Sequence, residues 1–476
     1  MLEKLKPCVY TVLTTIAGFA SLVLCDILPV IAFGWMMIAG LVVSLIVTFL
    51  LFPAVLILIP KEKPPAGRAG RFSLTAVLAK VTADHGTLIV AGSGLVLIFS
   101  LVGVSRLQVE NCFIDYFDKT TEIYQGMKII DQRLGGTTPF DVVAEFNDSD
   151  ASSPAASAGE ADDVFDEFAE LDKAAADEKY WFTPEKMRRI KAVHLYLESL
   201  PQTGKVLSPA TLVSLAEKLN DDEPLDSVEL ALLFNETPVE LKKLLVRPFV
   251  SIEHNQVRFW VRVKDSDKTL RRNALLEMIK DHLAGPGAPG GFDEQRVRLA
   301  GMLVLYNNML QQLFGSQILT LGFTAAALTG MFLVLFRSLR IALIAMFSNV
   351  LPILLVLGVM GWLNIPLDMM TITIAAIGLG IAVDDTIHYI HRFKDEFPKD
   401  RKYLPTMYRC HGSIGHAMYY TSITIIIGFS ILAMSNFKPT VYFGLLTGLA
   451  MIFALLAALT LMPELLILTR PFGKEA

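Results

Sequence analysis

Eight apolar runs punctuate the chain, at 9–28, 31–59, 86–104, 318–336, 341–363, 369–389, 417–434 and 440–468. Each is long enough to cross a bilayer as a helix. Between the third and fourth runs the rhythm changes. The stretch 120–134 places Ile123, Met127, Ile130 and Leu134 on one helical face, and 140–146 reads as a strand. With a short strand at 107–111 these make a βαβ start. Thr183-Pro184 caps a helix to residue 200 whose inward positions are Met187, Ile190, Val193 and Leu197. Short helices follow to 245, then a hairpin from 249–253 and 257–264, a helix over 270–283 and a last strand at 296–301. The expected fold is a multi-span α-helical membrane protein of eight transmembrane helices with one large, porter-like α+β extracytosolic domain.

Charge adds an orientation. Residues 107–317 carry 23 Lys and Arg against 35 Asp and Glu, whereas the short loops on one side of the spans are basic. Those loops hold Lys4, Lys6, Lys61, Lys63, Arg68, Arg71, Arg337, Arg340 and the cluster from Arg392 to Arg409. The positive-inside rule places both termini in the cytosol and 107–317 outside. The predicted organisation is two spans in 1–60, a linker at 61–85 and a span at 86–106. The outer domain at 107–317 carries an acidic insertion at 147–179; five spans at 318–470 and a tail at 471–476 complete the chain. In the linker, 71–81 reads either as an amphipathic helix on the inner membrane surface or as a tether. Cys8, Cys25, Cys112 and Cys410 have no CxxC spacing and imply neither a disulfide framework nor a zinc site.

The chain also repeats itself at an offset of 410 residues. Tyr10, Thr11, Thr14, Ile16, Gly18, Phe19 and Leu22 recur as Tyr420, Thr421, Thr424, Ile426, Gly428, Phe429 and Leu432. Pro29, Phe33, Gly34 and Pro53 recur as Pro439, Phe443, Gly444 and Pro463. The first two spans thus copy the last two in the same direction, a parallel repeat. They read as the tail of an earlier unit, and the chain as the C-terminal part of a larger duplicated protein.

The sixth run holds two adjacent carboxylates, Asp384 and Asp385. An acid at the bilayer centre costs roughly 2.5–3.5 kcal/mol on insertion scales, so such residues usually face the protein interior and act there. Asp385 lies roughly 10 Å of helix from the interfacial Arg392, inside the hydrocarbon. Gly378 and Gly380 would let another helix come close. Thr421, Ser422 and Thr424 on the next span stand at similar depth as hydroxyl partners, and His388 shares the acidic stripe. Two carboxylates this close in a low dielectric cannot easily both stay charged, which suits a proton relay. A sodium site using the same oxygens and a structural role for the pair stay open, as does simple packing for His388. Asn349 and Pro352 read as shaping the fifth span. With no Walker loop, HExxH or nucleophile elbow, an enzyme is not expected, and transport would draw on an ion gradient.

The segments GLGIAVDDTIHYIHRF, NVLPILLVLGVMGWLNIPLD and TSITIIIGFSILAMSNFKPTVYFGLLTG resemble the resistance–nodulation–cell division superfamily, and within it the MMPL-like exporters. The resemblance covers every span and is weaker across the outer domain. It implies twelve spans in two halves and proton-driven export, with Asp384 and Asp385 as relay and no cofactor beyond the gradient. It further implies hydrophobic or lipidic substrates, membrane lipids as neighbours, and a bacterial inner-membrane location with the large loop periplasmic. The missing N-terminal half or a second polypeptide would complete the transporter, an oligomer is possible, and nucleic acid is not a partner. The alternative is a non-transporting membrane protein that binds lipid or assists translocation.

Overall fold

The computed structural model describes residues 2–25, 27–58, 74–107, 112–147, 181–221, 223–267, 269–284, 290–368 and 370–475. They form two compact units, one from 1–111 with 309–476 and the other from 112–308. The first unit opens with helix α1 (Leu2–Ala20) and a 3-10 turn (Ser21–Leu24), followed by α2 (Leu28–Leu58). Helix α3 spans Leu74–Val104 and is kinked at His85, so it starts well inside the stretch expected as a linker. The remainder of that linker and the insertion expected at 147–179 fall outside the described residues, apart from Asn147.

In the second unit, α4 (Glu122–Arg133) leads to strand β1 (Thr138–Glu145). Helix α5 (Pro184–Ser199), β2 (Thr203–Leu207), α6 (Pro209–Leu219), α7 (Ser227–Glu236) and α8 (Val239–Leu245) follow. Strands β3 (Val250–Ser251) and β4 (Gln256–Val263), helix α9 (Arg272–Leu283) and strand β5 (Val297–Ala300) complete it. The sheet runs β2-β4-β1-β5 with β3 on β4, every described pairing antiparallel. Alternation decides its buried face: Phe140, Val142 and Ala144 on β1 and Val257, Phe259, Val261 and Val263 on β4 are all buried. Against them lie Met187, Ile190, Val193 and Leu197 of α5, the four inward positions read from periodicity, with Thr183 accepting the Lys186 amide as cap.

Two features of this unit are decided by tertiary contacts. The apolar stripe read on α4 faces outward, with Ile123 at 55%, Ile130 at 39% and Leu134 at 58%. Its inward residues are Tyr124 and Asp131. The Asp131 carboxylate takes hydrogen bonds from the amides of Thr137, Asp265 and Ser266 and from the hydroxyls of Thr137 and Ser266. A buried charge requires such partners, and meeting that requirement outweighs burial of a surface stripe. Strand β2 falls in a stretch read as helical. Gly204 and a register shift between Thr203 and Lys205 break the alternation that would have revealed it.

Helix α10 (Met302–Phe336) begins in the second unit and continues into the first, which is completed by α11 (Leu339–Trp362), α12 (Thr371–Glu396), the short α13 (Tyr403–His411), α14 (Ile414–Ser430) with a 3-10 turn (Ile431–Met434), and α15 (Lys438–Leu456). A π-turn (Ala457–Leu461) joins α15 to α16 (Met462–Thr469). Among the described residues seven helices are long and apolar enough to cross a membrane, and an eighth apolar helix, Cys8–Leu24, is shorter. This is the architecture of a multi-span helical membrane protein. Helices α3 and α11 meet backbone to backbone: a Cβ on Gly358 would stand 2.7 Å from Ser100 Cα, a spacing that small residues alone permit.

The repeat is structural as well as sequential. Helix α1 and its 3-10 turn end at residues 20 and 24, and α14 and its turn at 430 and 434, while α2 and α15 begin at 28 and 438. Phe19 meets Phe33 edge-on at 6.2 Å and 70°, and their copies Phe429 and Phe443 do so at 5.7 Å and 70°. Gly34 and Gly444 both lie against the carbonyl of that first phenylalanine.

Candidate functional site

Helix α12 is buried along almost its whole length, packed by α1, α11 and α15. Its start is held by a reciprocal cap: Asp368 accepts from the amides of Met370 and Thr371, and Thr371 Oγ1 accepts from the Asp368 amide. Consecutive helical residues diverge by about 100°, so the two acids meet different neighbours. Asp384 faces α1, where Thr15 Oγ1 stands 3.3 and 3.5 Å from its two oxygens. That hydroxyl also donates to the Thr11 carbonyl at 2.9 Å. Asp385 faces α14, where the Ser422 hydroxyl donates to Oδ2 at 3.2 Å.

The two glycines read as close-packing positions sit in different contacts. At Gly380 the α1 and α12 backbones touch: a Cβ on Gly18 would lie 3.1 Å from Gly380 Cα. Gly378 faces α11 and α15, where an added Cβ would stand 2.7 Å from Ile353 Cδ1 and 3.8 Å from Ala450 Cβ. Beside the acids, Thr386 Oγ1 donates to the buried Asn349 Oδ1 at 3.0 Å. Asn349 thus does more than shape its own helix. One turn further along, Tyr389 pairs with His411 Nδ1 at 3.1 Å, and His411 Nε2 reaches the Leu459 carbonyl of the π-turn at 2.8 Å.

A cavity of about 430 Å³ opens on the pair. Asp384, Asp385, His388, Thr421 and Ser422 supply its polar lining, and Ile381, Ile414, Ala417, Met418, Ile425 and Met451 the rest. The structure therefore brings together both acids, His388, Ser422 and Thr421, although the Thr421 hydroxyl is engaged with the Met418 carbonyl. Thr424 is not part of this constellation. It is exposed and bonds to the Tyr420 carbonyl, which corrects its expected place beside the pair. The partner that sequence reasoning missed is Thr15 on α1. The signal was available, since the repeat sets α1 as the copy of α14, and a helix that copies a hydroxyl-bearing neighbour is itself a candidate neighbour.

Chemically the arrangement is two carboxylates, each within reach of one hydroxyl, side by side, at a cavity with the volume for several waters. No group of three or more metal-ligating side chains occurs among the described residues.

The model of the MMPL family matches residues 116–475. The chain belongs to the MMPL family. A protein of Methanocaldococcus jannaschii named only for its membrane character, MJ1562, is 22% identical over 381 residues, covering 79% of this MMPL chain and 88% of its own length. Among solved structures, the hedgehog release protein Disp of the water bear Hypsibius dujardini superposes with a TM-score of 0.53 at 12% identity, over 98% of this chain. The match to SecDF, a translocon-associated membrane protein from Thermus thermophilus, has a TM-score of 0.47 at 12% identity and also covers 98% of this chain. The MMPL chain spans 58% of the length of the Disp chain and 48% of that of SecDF. The Disp superposition shows the shared fold of this membrane architecture.

Proposed function

We propose that this MMPL-family protein is a working part of an exporter driven by the proton-motive force. It moves hydrophobic or lipidic molecules, and Asp384 and Asp385 relay the protons. The observation that carries the reading is the placement of the pair: two adjacent acids within an apolar helix, each against a hydroxyl of a different helix, at a shared cavity. An ionised carboxylate draws donors toward itself, whereas a protonated one needs fewer of them. Loading and unloading a proton thus changes the attraction of α12 for α1 at one acid and for α14 at the other. That differential is what a two-state transport cycle requires. Water in the cavity supplies protons, with His388 on the wall as a carrier. The reading places the chain in the cytoplasmic membrane of a bacterium, with basic loops inside and the α+β domain outside. It assigns the chain no enzymatic step, and lipid and a second polypeptide are its partners.

The test is proton flux in native-membrane vesicles under an imposed pH gradient, comparing the unaltered chain with D384N, D385N and the double variant. Loss of gradient-driven flux in each, with unchanged thermal stability and elution volume, supports the relay. Undiminished flux in the double variant overturns it, and flux that follows a sodium gradient alone reassigns the coupling ion.

A further inference from the structure

His411 is buried at the end of α13 and does not line the cavity at the acid pair. A proline sets its surroundings. In a regular helix the Leu459 carbonyl would accept the amide of residue 463, but that residue is Pro463, which has no N–H. The π-turn (Ala457–Leu461) leaves this carbonyl to α13, and His411 Nε2 lies 2.8 Å from it. The hydroxyl of Thr82, 3.5 Å from the same oxygen, donates to the Leu78 carbonyl at 2.9 Å. A buried carbonyl needs a donor, so Nε2 carries the ring hydrogen.

That choice fixes the role of the other nitrogen. In the neutral ring Nδ1 is an acceptor, and the Tyr389 hydroxyl, 3.1 Å away, donates to it. The Met407 carbonyl stands 3.0 Å from the same nitrogen, lone pair against lone pair. A proton on Nδ1 turns that contact into an N–H···O bond, and both nitrogens then donate to carbonyls. The Tyr389 hydroxyl, fully buried on α12, loses its acceptor in the same step.

The charged groups on the elements packed around α13 are engaged or turned away. Lys80, Asp84 and His85 of α3 are exposed, and Glu464 of α16 lies against Gly86. Glu396 of α12 is held by Arg392, Lys399 and Arg409. His416 on α14 and Cys410 on α13 itself are the other titratable neighbours. Burial pushes the His411 imidazole below the usual histidine range, and the Leu459 and Met407 carbonyls pull the other way without cancelling it. A proton bound there is readily given up.

We propose that His411 Nδ1 is a further proton-binding site of this chain, on the side of the basic loops, and that Tyr389 couples its occupancy to α12. Uptake forms one N–H bond from the Nδ1 lone pair and breaks none; release restores the lone pair, and Tyr389 donates to it again. Tyr389 stands one turn beyond Asp385, which makes His411 the station where a proton leaves the pair. That exit role rests on the relay proposed above, whereas the binding of the proton does not.

Nitrogen-15 NMR of histidine-labelled protein in lipid nanodiscs tests the site. The His411 signals are those absent from H411Q, whose amide keeps a donor for Leu459 but takes no proton. The expected result is the Nε2–H tautomer in alkali and protonation of Nδ1 with a midpoint below about 6.5. Y389F removes the hydroxyl that favours the neutral ring, so it should raise that midpoint by about 0.5–1 unit. An Nδ1–H tautomer, a ring that does not titrate, or an unchanged midpoint in Y389F overturns the site. Proton flux in vesicles then separates the exit role from the relay. H411Q should lose flux at an unchanged melting temperature. Undiminished flux in H411Q where D385N abolishes it overturns the exit role and leaves the relay standing. Undiminished flux in D385N as well counts against the relay itself, and the titration alone then decides the proton site.

Discussion

The contact between Gly18 and Gly380 makes a prediction that chemical similarity would not. Alanine at either position adds one methyl to the same interface, yet the two methyls point into different spaces. On Gly380 the new Cβ would lie 3.8 Å from Gly18 Cα and from the Thr15 carbonyl, an ordinary contact. G380A should then retain the intrinsic helical advantage of alanine, about 0.5–1 kcal/mol. On Gly18 the new Cβ would lie 3.1 Å from Gly380 Cα, and the obstacle is backbone rather than a yielding side chain. Carbon contacts settle at about 3.5–4.0 Å, so α1 and α12 must part by about 0.5 Å. The Thr15 hydroxyl now 3.3 Å from Asp384 would then move to about 3.8 Å, beyond hydrogen-bonding range. Overpacking of this kind costs about 1–3 kcal/mol, only partly offset by alanine's propensity. Thermal unfolding in detergent micelles should show G18A destabilised and G380A equal to or above the unaltered protein. Equal losses in the two variants, or a larger loss in G380A, would refute the packing argument.

Two further outcomes concern buried polar groups. Burial disfavours the charge on Asp131, but hydrogen bonds from the Ser266 and Thr137 hydroxyls and the Ser266 and Asp265 amides outweigh it and hold the carboxyl below the usual range. Its contribution is therefore present above the unfolded carboxylate value of about 4 and lost as pH falls through the lower folded value. D131A, which strands five donors, should cost about 2–4 kcal/mol at neutral pH and flatten the acid limb of a stability-against-pH curve. For Thr386 and Asn349, a double-mutant cycle of T386V with N349L should give a coupling of about 0.6 kcal/mol, with about 1.7 as the upper end for interhelical bonds in membranes. A coupling of zero would mean the 3.0 Å contact contributes nothing to holding α11 against α12.

What could be read from the chain depended on how local the cause was. The spans were legible because twenty apolar residues in a row have few other fates, and α5 because Thr183-Pro184 and its stripe obey one helical period. On α4 the apolar face is not the buried one. Its stripe of isoleucines is a statement about one face, while the burial of Asp131 is decided by Asp265 and Ser266, more than a hundred residues away. Strand β2 was hidden by the break in alternation at Gly204. The acid pair announced itself through cost, since a carboxylate in a long apolar run demands an explanation, but its partners belong to tertiary structure. Reasoning from depth alone put Thr421, Ser422 and Thr424 on an equal footing, although a helix can turn only one side toward a neighbour, and Ser422 is the one that reaches Asp385. The repeat carried the remaining information. Helix α1, the copy of α14, is the neighbour that brings Thr15 to Asp384.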